Sequence, residues 1–135
     1  MEFKEEWKKW EPIKNVSAKY FIDYILNNSK IFKIILTNRD NEFKKVSILF
    51  ESPIHAFRWS DETYRYKTII MLSEKYGRSF YSGTFFKVTN SDYIKWLLGQ
   101  SSEIKNENDL IHFSFIGANS VLDVIGSPDP IVENL

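Results

Sequence analysis

The chain has 135 residues, of which 43% are apolar and 27% charged, and this composition excludes a disordered polymer. Its length predicts a single domain over residues 1–135, and its 16% aromatic share predicts a core built from large rings. Equal numbers of basic and acidic residues, 18 of each, disfavour binding to nucleic acid or to an anionic membrane, and the lack of cysteine excludes disulfides and thiolate chemistry.

The first segment with a helical pattern lies at the N-terminus. Phe3, Trp7 and Trp10 recur at spacings of four and three, and Pro12 follows them. This spacing predicts a short helix over residues 3–10, whose aromatic stripe either covers the core or faces a partner. The acidic residues around it are not typical of a secretory signal, and no apolar run approaches the roughly 20 residues of a membrane span. Together with the lack of cysteine, these features lead us to expect a cytoplasmic protein with no membrane contact.

Alternating apolar residues predict three strands, over residues 19–26, 31–37 and 46–50, separated by asparagine-rich turns. Such short connections favour an antiparallel meander. On the first strand the alternation places four residues on one side: Tyr20, Ile22, Tyr24 and Leu26. A shorter strand over residues 54–59 would likewise carry three residues on one side: His55, Phe57 and Trp59.

Two main helices are predicted in the middle of the chain. The first covers residues 60–76 and stops before Gly77, and the second is capped by residues 90–92 and stops just before Gly99. Residues 80–88, between them, predict a strand with a bend at Gly83. The polar residues 100–108 are expected to form a loop.

A hairpin is predicted near the C-terminus, from residues 110–116 and 121–125 joined by residues 117–120. Its buried side is expected to consist of Ile111, Phe113, Phe115, Leu122 and Val124. The tail from Ser127, with its prolines, predicts an extended strap. The order of elements favours an α+β fold: one antiparallel sheet of about six to seven strands, formed by the meander and the hairpin, packed with two main helices and the short N-terminal helix.

The same hairpin carries the polar set most suggestive of catalysis. With residues 117–120 as its loop, Ser114 lies opposite Asp123, and His112 is a diagonal neighbour on the same face. A serine, a histidine and a carboxylate are the groups that nucleophilic catalysis needs, because the imidazole takes the hydroxyl proton and the carboxylate orients the ring. The simpler interpretation is a solvated polar face on a half-buried hairpin.

A second catalytic hypothesis pairs His55 with His112 as general base and acid. This arrangement cleaves RNA without a metal ion, and Arg58 or a lysine would stabilise the developing negative charge. With two histidines, no cysteine and none of the phosphate-loop or metal-binding motifs, the chain predicts neither a cofactor nor a metal site.

Several segments resemble small proteins of low-GC bacteria, some of which look like immunity proteins encoded beside polymorphic or contact-dependent toxins. The residues that carry the resemblance are 56–58, 61–62, 86–96, 111–113 and 119–125, and its most specific part is Asn-Ser-Asp-Tyr-Ile-Lys-Trp at residues 90–96. The resemblance implies a protein that neutralises a toxin and has no active site of its own.

An uneven charge distribution fits a binding role. Residues 101–135 carry one basic and six acidic side chains, and they could form a patch for a basic partner. We therefore expect a non-enzymatic module that binds a protein, such as a cognate toxin, and occludes its active site. The expected partner contacts are Trp96, Glu103, Glu107, Asp109, Asp123 and Asp129. The alternative is a small hydrolase or metal-independent ribonuclease that uses His112 with Ser114 and Asp123, or with His55.

Overall fold

The computed structural model describes residues 4–14, 16–101 and 109–135. These residues form nine strands, two α-helices and two short 3₁₀ helices, Glu62–Arg65 and Arg78–Ser82. The helices are α1 (Tyr66–Tyr76) and α2 (Asp92–Gln100). The strands are β1 (Glu6–Lys9), β2 (Tyr20–Asn27), β3 (Phe32–Asn38), β4 (Lys45–Phe50), β5 (Ala56–Asp61), β6 (Phe85–Thr89), β7 (Ile111–Ile116), β8 (Ser120–Gly126) and β9 (Ile131–Asn134).

The strands are divided between two antiparallel sheets, so the α+β class is confirmed and the single sheet is wrong. Sheet A has five strands in the order β1-β6-β7-β8-β5, and sheet B has four in the order β2-β3-β4-β9. The predicted meander forms the consecutive part of sheet B, and the predicted hairpin is the β7–β8 pair. Its register is the one predicted, since Ile116 pairs with Val121 and Ser114 with Asp123.

The two sheets pack face to face, and the helices cover the outer face of sheet A. Phe113, Phe115 and Leu122 of sheet A share a core with Ile34 and Ile48 of sheet B. On the outer face, Leu72 of α1 and Ile94 of α2 belong to two smaller clusters. Both faces of the β7–β8 hairpin are therefore covered, and every residue of β8 is buried.

The predicted N-terminal helix is wrong, because residues 6–9 form β1 and pair with β6. Trp7 lies opposite Val88 and packs in the outer cluster beside Phe86. Trp10 instead packs against Phe113 in the core between the sheets, with ring centres 5.1 Å apart. A spacing of three puts two residues on one side of a helix but on opposite sides of a strand, and here each tryptophan has a separate apolar layer to fill.

The register of β2 shifts between Ile22 and Tyr24, which leaves Asp23 as an extra residue in the strand. The shift reverses the alternation, so Ile25 packs against the core while Tyr24 is half exposed. The prediction that four alternating residues share one side of this strand therefore fails after Ile22, at the register shift.

Three smaller predictions also change. Residues 80–88 are not one strand, since Arg78–Ser82 is a 3₁₀ helix and β6 begins at Phe85. Helix α2 continues through Gly99 to Gln100. The C-terminal strap contains β9, whose backbone pairs with β4, with Val132 opposite Ile48.

The predicted loop at residues 100–108 lies mostly outside the described residues. None of the described helices has the length and apolar character needed to cross a membrane.

Lys19, just before β2, ties the two sheets together. Its ammonium donates hydrogen bonds to the carbonyl oxygens of Tyr81 and Gly83, each at 2.8 Å, and of Ile116 at 2.7 Å. The acceptors lie just before β6 and at the end of β7, so one side chain joins sheet B to two strands of sheet A. Burial and the nearby charge of Arg39 lower the pKa of Lys19 to about 8, and Glu62 raises it slightly against them.

Candidate functional site

A buried carboxylate, Asp123, lies at the centre of an ionic network on the outer face of sheet A. Its Oδ1 accepts a hydrogen bond from His112 Nε2 at 2.7 Å, and its Oδ2 accepts from Arg58 Nε at 2.8 Å and from Arg65 Nη1. Burial alone would raise the pKa of Asp123, but the hydrogen bond from His112 and the attraction of His112, Arg65 and Arg58 together hold it well below its usual value. The carboxylate is therefore ionised inside the protein.

The network continues from His112 to the start of helix α2. His112 Nδ1 lies 2.7 Å from Ser91 Oγ, and Ser91 Oγ also accepts the backbone N–H of Ile94 at 3.1 Å. The backbone N–H of Ile94 donates a hydrogen bond to the serine oxygen. The Ser91 hydroxyl can therefore donate its own hydrogen to Nδ1, while Nε2–H of His112 donates to Asp123. Every polar atom of the imidazole then has a partner.

The serine that contacts His112 is Ser91 and not the predicted Ser114. His112 and Asp123 are in direct contact, as the hairpin register suggested, but Ser114 Oγ is buried and makes no hydrogen bond to any of the residues that the structure describes. The expectation of a solvated polar face is wrong, because α1 and α2 pack on this face and leave His112, Ser114 and Asp123 without exposed surface. The sequence identified Ser91 only as a helix cap, since its contact with His112 joins segments that are not neighbours in the chain.

Ser91, His112 and Asp123 have the hydrogen-bond order of a catalytic triad but not its accessibility. The Ser91 side chain is 1% exposed and its oxygen is held by the cap of α2, so a substrate has no open approach to it. In this structure the three groups form a satisfied buried network that fixes α2 on sheet A.

Substitution of the two serines should separate their roles. We expect Ser91→Ala to lower the free energy of unfolding by about 1–2 kcal/mol, because it removes both the cap of α2 and the partner of His112. The matched control is Ser114→Ala, which removes a buried hydroxyl with no hydrogen-bond partner in the described part of the chain and should be neutral or stabilising. Urea denaturation of both variants measures the difference, and equal losses would contradict the network described here.

His55 lies apart from His112. It is exposed and lines an open cavity of about 420 Å³ between the turn after β2 and the start of β5. His112 is on the opposite, helix-covered face of sheet A. The structure therefore does not bring together the two imidazoles of the ribonuclease hypothesis. Among the described residues, no group of three or more histidine and acidic side chains is arranged to hold a metal ion.

The predicted acidic surface is only partly described. Glu103 and Glu107 lie outside the described residues, and Asp109 is exposed. Asp129 is half exposed and paired with Lys87 Nζ at 2.8 Å. The prediction that Asp123 contacts a partner is wrong, because its carboxylate is buried, is neutralised by arginines and does not reach the surface.

The exposed aromatic side chains point to a different surface, at the edge of sheet A. Among the described residues, ten large apolar or aromatic side chains are strongly exposed, and five of them lie on β5, just after it or beside it. These five are Phe57, Trp59, Tyr64, Tyr66 and Trp96. Together with Arg58 they are called the β5 surface below. Trp96, a predicted partner contact, is 59% exposed within it.

Arg58 and Trp96 are connected across a shallow groove. The Arg58 Cζ atom lies 4.2 Å from the centre of the Tyr93 ring, and Tyr93 in turn stacks beside Trp96 with ring centres 6.3 Å apart. These three side chains and Asp92 line a groove of about 450 Å³. An arginine flanked by aromatic rings at a half-exposed position is typical of residues that dominate protein interfaces.

The fold and this site define an α+β sandwich with a buried ionic network and an exposed aromatic edge. Comparison of the chain with protein-family models, with curated proteins and with solved structures gave no match in any of the three.

Proposed function

We propose that this protein is a non-enzymatic binding module that neutralises a cognate bacterial toxin, and that it holds its partner through the β5 surface. The observation that carries the proposal is the clustering of exposed aromatic side chains around one edge of β5, an edge with which no described strand pairs. The resemblance of residues 56–58 and 90–96 to immunity proteins falls on the same region. Occlusion of a partner needs a rigid surface of this kind and no catalytic groups.

The backbone of β5 favours a partner that adds a strand. Strand β5 is the last strand of sheet A and pairs only with β8, so among the described strands none occupies its other edge. An edge strand presents unpaired N–H and C=O groups that can pair with an extended segment of another chain. Natural proteins usually protect such edges, and a six-residue edge carrying Trp59 is therefore consistent with use as an interface.

The aromatic side chains would supply most of the binding energy. Trp59 is 53% exposed and points away from the helix-covered face, while Trp96 borders β5 on that face. A bound strand would therefore contact a tryptophan on each side of the sheet. Large rings of this type, once enclosed, are the residues whose truncation costs most in protein complexes.

The proposal is tested with the product of the adjacent gene as candidate toxin. Co-expression should restore growth to cells that make the toxin, and Trp59→Ala should weaken the complex by about 2–4 kcal/mol, or roughly 30-fold to 1,000-fold in Kd. The matched control is Phe43→Ala, since Phe43 is exposed in the turn before β4 and lies outside the β5 surface. Isothermal titration calorimetry measures both variants. Full protection by the Trp59 variant, or equal weakening by the Phe43 variant, would remove β5 from the proposal.

A further inference from the structure

We infer that Arg58 is a receptor for a carboxylate, supplied by an extended partner segment in which an acidic residue stands between two apolar ones. This inference rests on the proposed function, because it specifies the chemistry of the strand that pairs with β5. It is carried by the position of the Arg58 guanidinium and by the charge of its surroundings.

The Arg58 guanidinium is fixed on two sides before any partner arrives. Its Nε donates to Asp123 Oδ2 at 2.8 Å, and its plane is supported by the Tyr93 ring at 4.2 Å. Among the described residues, no acceptor bonds to its Nη1 or Nη2, and the side chain is 45% exposed. Two donor groups are therefore held in a fixed direction at the surface, which lowers the entropy lost when a planar acceptor binds.

The groups joined by ion pairs to Asp123 carry more positive than negative charge. Two guanidinium groups share the single carboxylate of Asp123, and Arg65 is the more enclosed of the two, at 14% side-chain exposure. Asp92 also borders the groove, but no ion pair joins it to Arg58 in the described part of the chain. An incoming carboxylate would therefore complete a two-arginine, two-carboxylate arrangement, with its charge-assisted bonds on the open side of Arg58.

The alternation of β5 then fixes the pattern of the partner strand. Arg58 faces the helix-covered side of sheet A, since it contacts Asp123 and Tyr93, whereas Phe57 packs against Phe32 on the other side. In a paired strand, the residue opposite Arg58 has its side chain on the same face, about 5 Å away. The residues before and after it in the partner strand have their side chains on the opposite face, beside Phe57 and Trp59, where apolar residues fit best.

The test uses two capped hexapeptides, acetyl-Thr-Val-Glu-Val-Thr-Val-amide and the same peptide with Gln in place of Glu. Both are titrated into the full chain while ¹H–¹⁵N spectra follow the β5 amides, the Trp59 and Trp96 indoles and the Arg58 Nε–H. We expect the Glu peptide to bind about tenfold more tightly than the Gln peptide, and to shift the Arg58 signal more.

Two variants locate the effect. Arg58→Gln should abolish the preference for the Glu peptide, whereas Lys95→Gln, which removes an exposed lysine on α2, should preserve it. If both peptides shift the β5 signals with equal affinity, the carboxylate inference is overturned while a β5 interface survives. If neither peptide shifts them, or if the chain alone pairs through β5 at high concentration, the inference is also overturned, and the Trp59 experiment then decides the proposed function.

Discussion

Replacing Asp123 by Asn should lower the free energy of unfolding by about 3–5 kcal/mol, the largest single loss that we expect in this protein. The substitution keeps the shape of the side chain but removes the charge that Arg58, Arg65 and His112 face. The buried end of Arg65 then has no counterion, and an amide cannot accept from all three donors as a carboxylate does. Guanidinium denaturation monitored by tryptophan fluorescence measures the loss.

The matched control for this variant is Asp129→Asn. Asp129 also pairs with a basic residue, Lys87, but the carboxylate is half exposed and the pair is open to water. Its removal should therefore change the free energy of unfolding by less than about 1 kcal/mol. Similar losses for the two variants would show that burial does not set the cost, contrary to the structure.

The Asp123 network also predicts a pH dependence. The folded-state pKa of Asp123 lies well below its usual value, so the unfolded state binds more protons when the pH falls below about 4. The stability that the ionised carboxylate contributes is present above that pH and is lost as the pH falls further. The Asp123→Asn variant should lack this part of the acid-induced loss, which urea denaturation between pH 5 and 2.5 can measure.

The second large effect is expected at Lys19. Replacing it by Met removes the donor for the carbonyl oxygens of Tyr81, Gly83 and Ile116, and should cost about 2–4 kcal/mol at pH 7. The cost stays below the sum of three buried hydrogen bonds, because the wild-type protein bears the penalty of burying an ammonium group. Chemical denaturation measures the change, with the exposed Lys30→Met as the control that should be nearly neutral.

The stability contributed by Lys19 changes with pH in the same direction as that contributed by Asp123, but in the alkaline range. The folded-state pKa is about 8 and the unfolded one about 10.4, so the unfolded state binds more protons between these values. The wild-type protein should therefore gain stability from Lys19 as the pH rises from 8 towards 10, and the Met variant should not. Parallel stability curves for the two proteins in this range would contradict the burial of the ammonium group.

The elements that the sequence predicted correctly depend on near neighbours. The meander, the β7–β8 register and the cap of α2 follow from alternation, turn residues and one serine, all within short segments. The division into two sheets could not be predicted in this way, because it depends on β1 pairing with β6 and on β9 pairing with β4. Local spacing cannot distinguish the two separate apolar layers that Trp7 and Trp10 fill, and so it suggested a helix.

The candidate site, like the fold, could be predicted from the sequence only where its residues are close neighbours in the chain. The His112–Asp123 contact could be predicted because both residues belong to one hairpin. Arg65 and Ser91 could not be added to it, since their positions depend on how the helical segments pack on sheet A. That packing also explains why the polar face is buried: α1 and α2 cover it, and its charges compensate one another.

The pairing of β4 with β9 has a consequence for synthesis on the ribosome. Val132 must reach Ile48 across a separation of more than half of the 135 residues, so sheet B stays one strand short until β9 has left the exit tunnel. Contacts between such distant segments make folding slow, on the order of milliseconds to seconds for mainly β proteins. During that interval the nascent chain exposes the open backbone of β4, and molecular chaperones that bind extended apolar segments would have time to act on it.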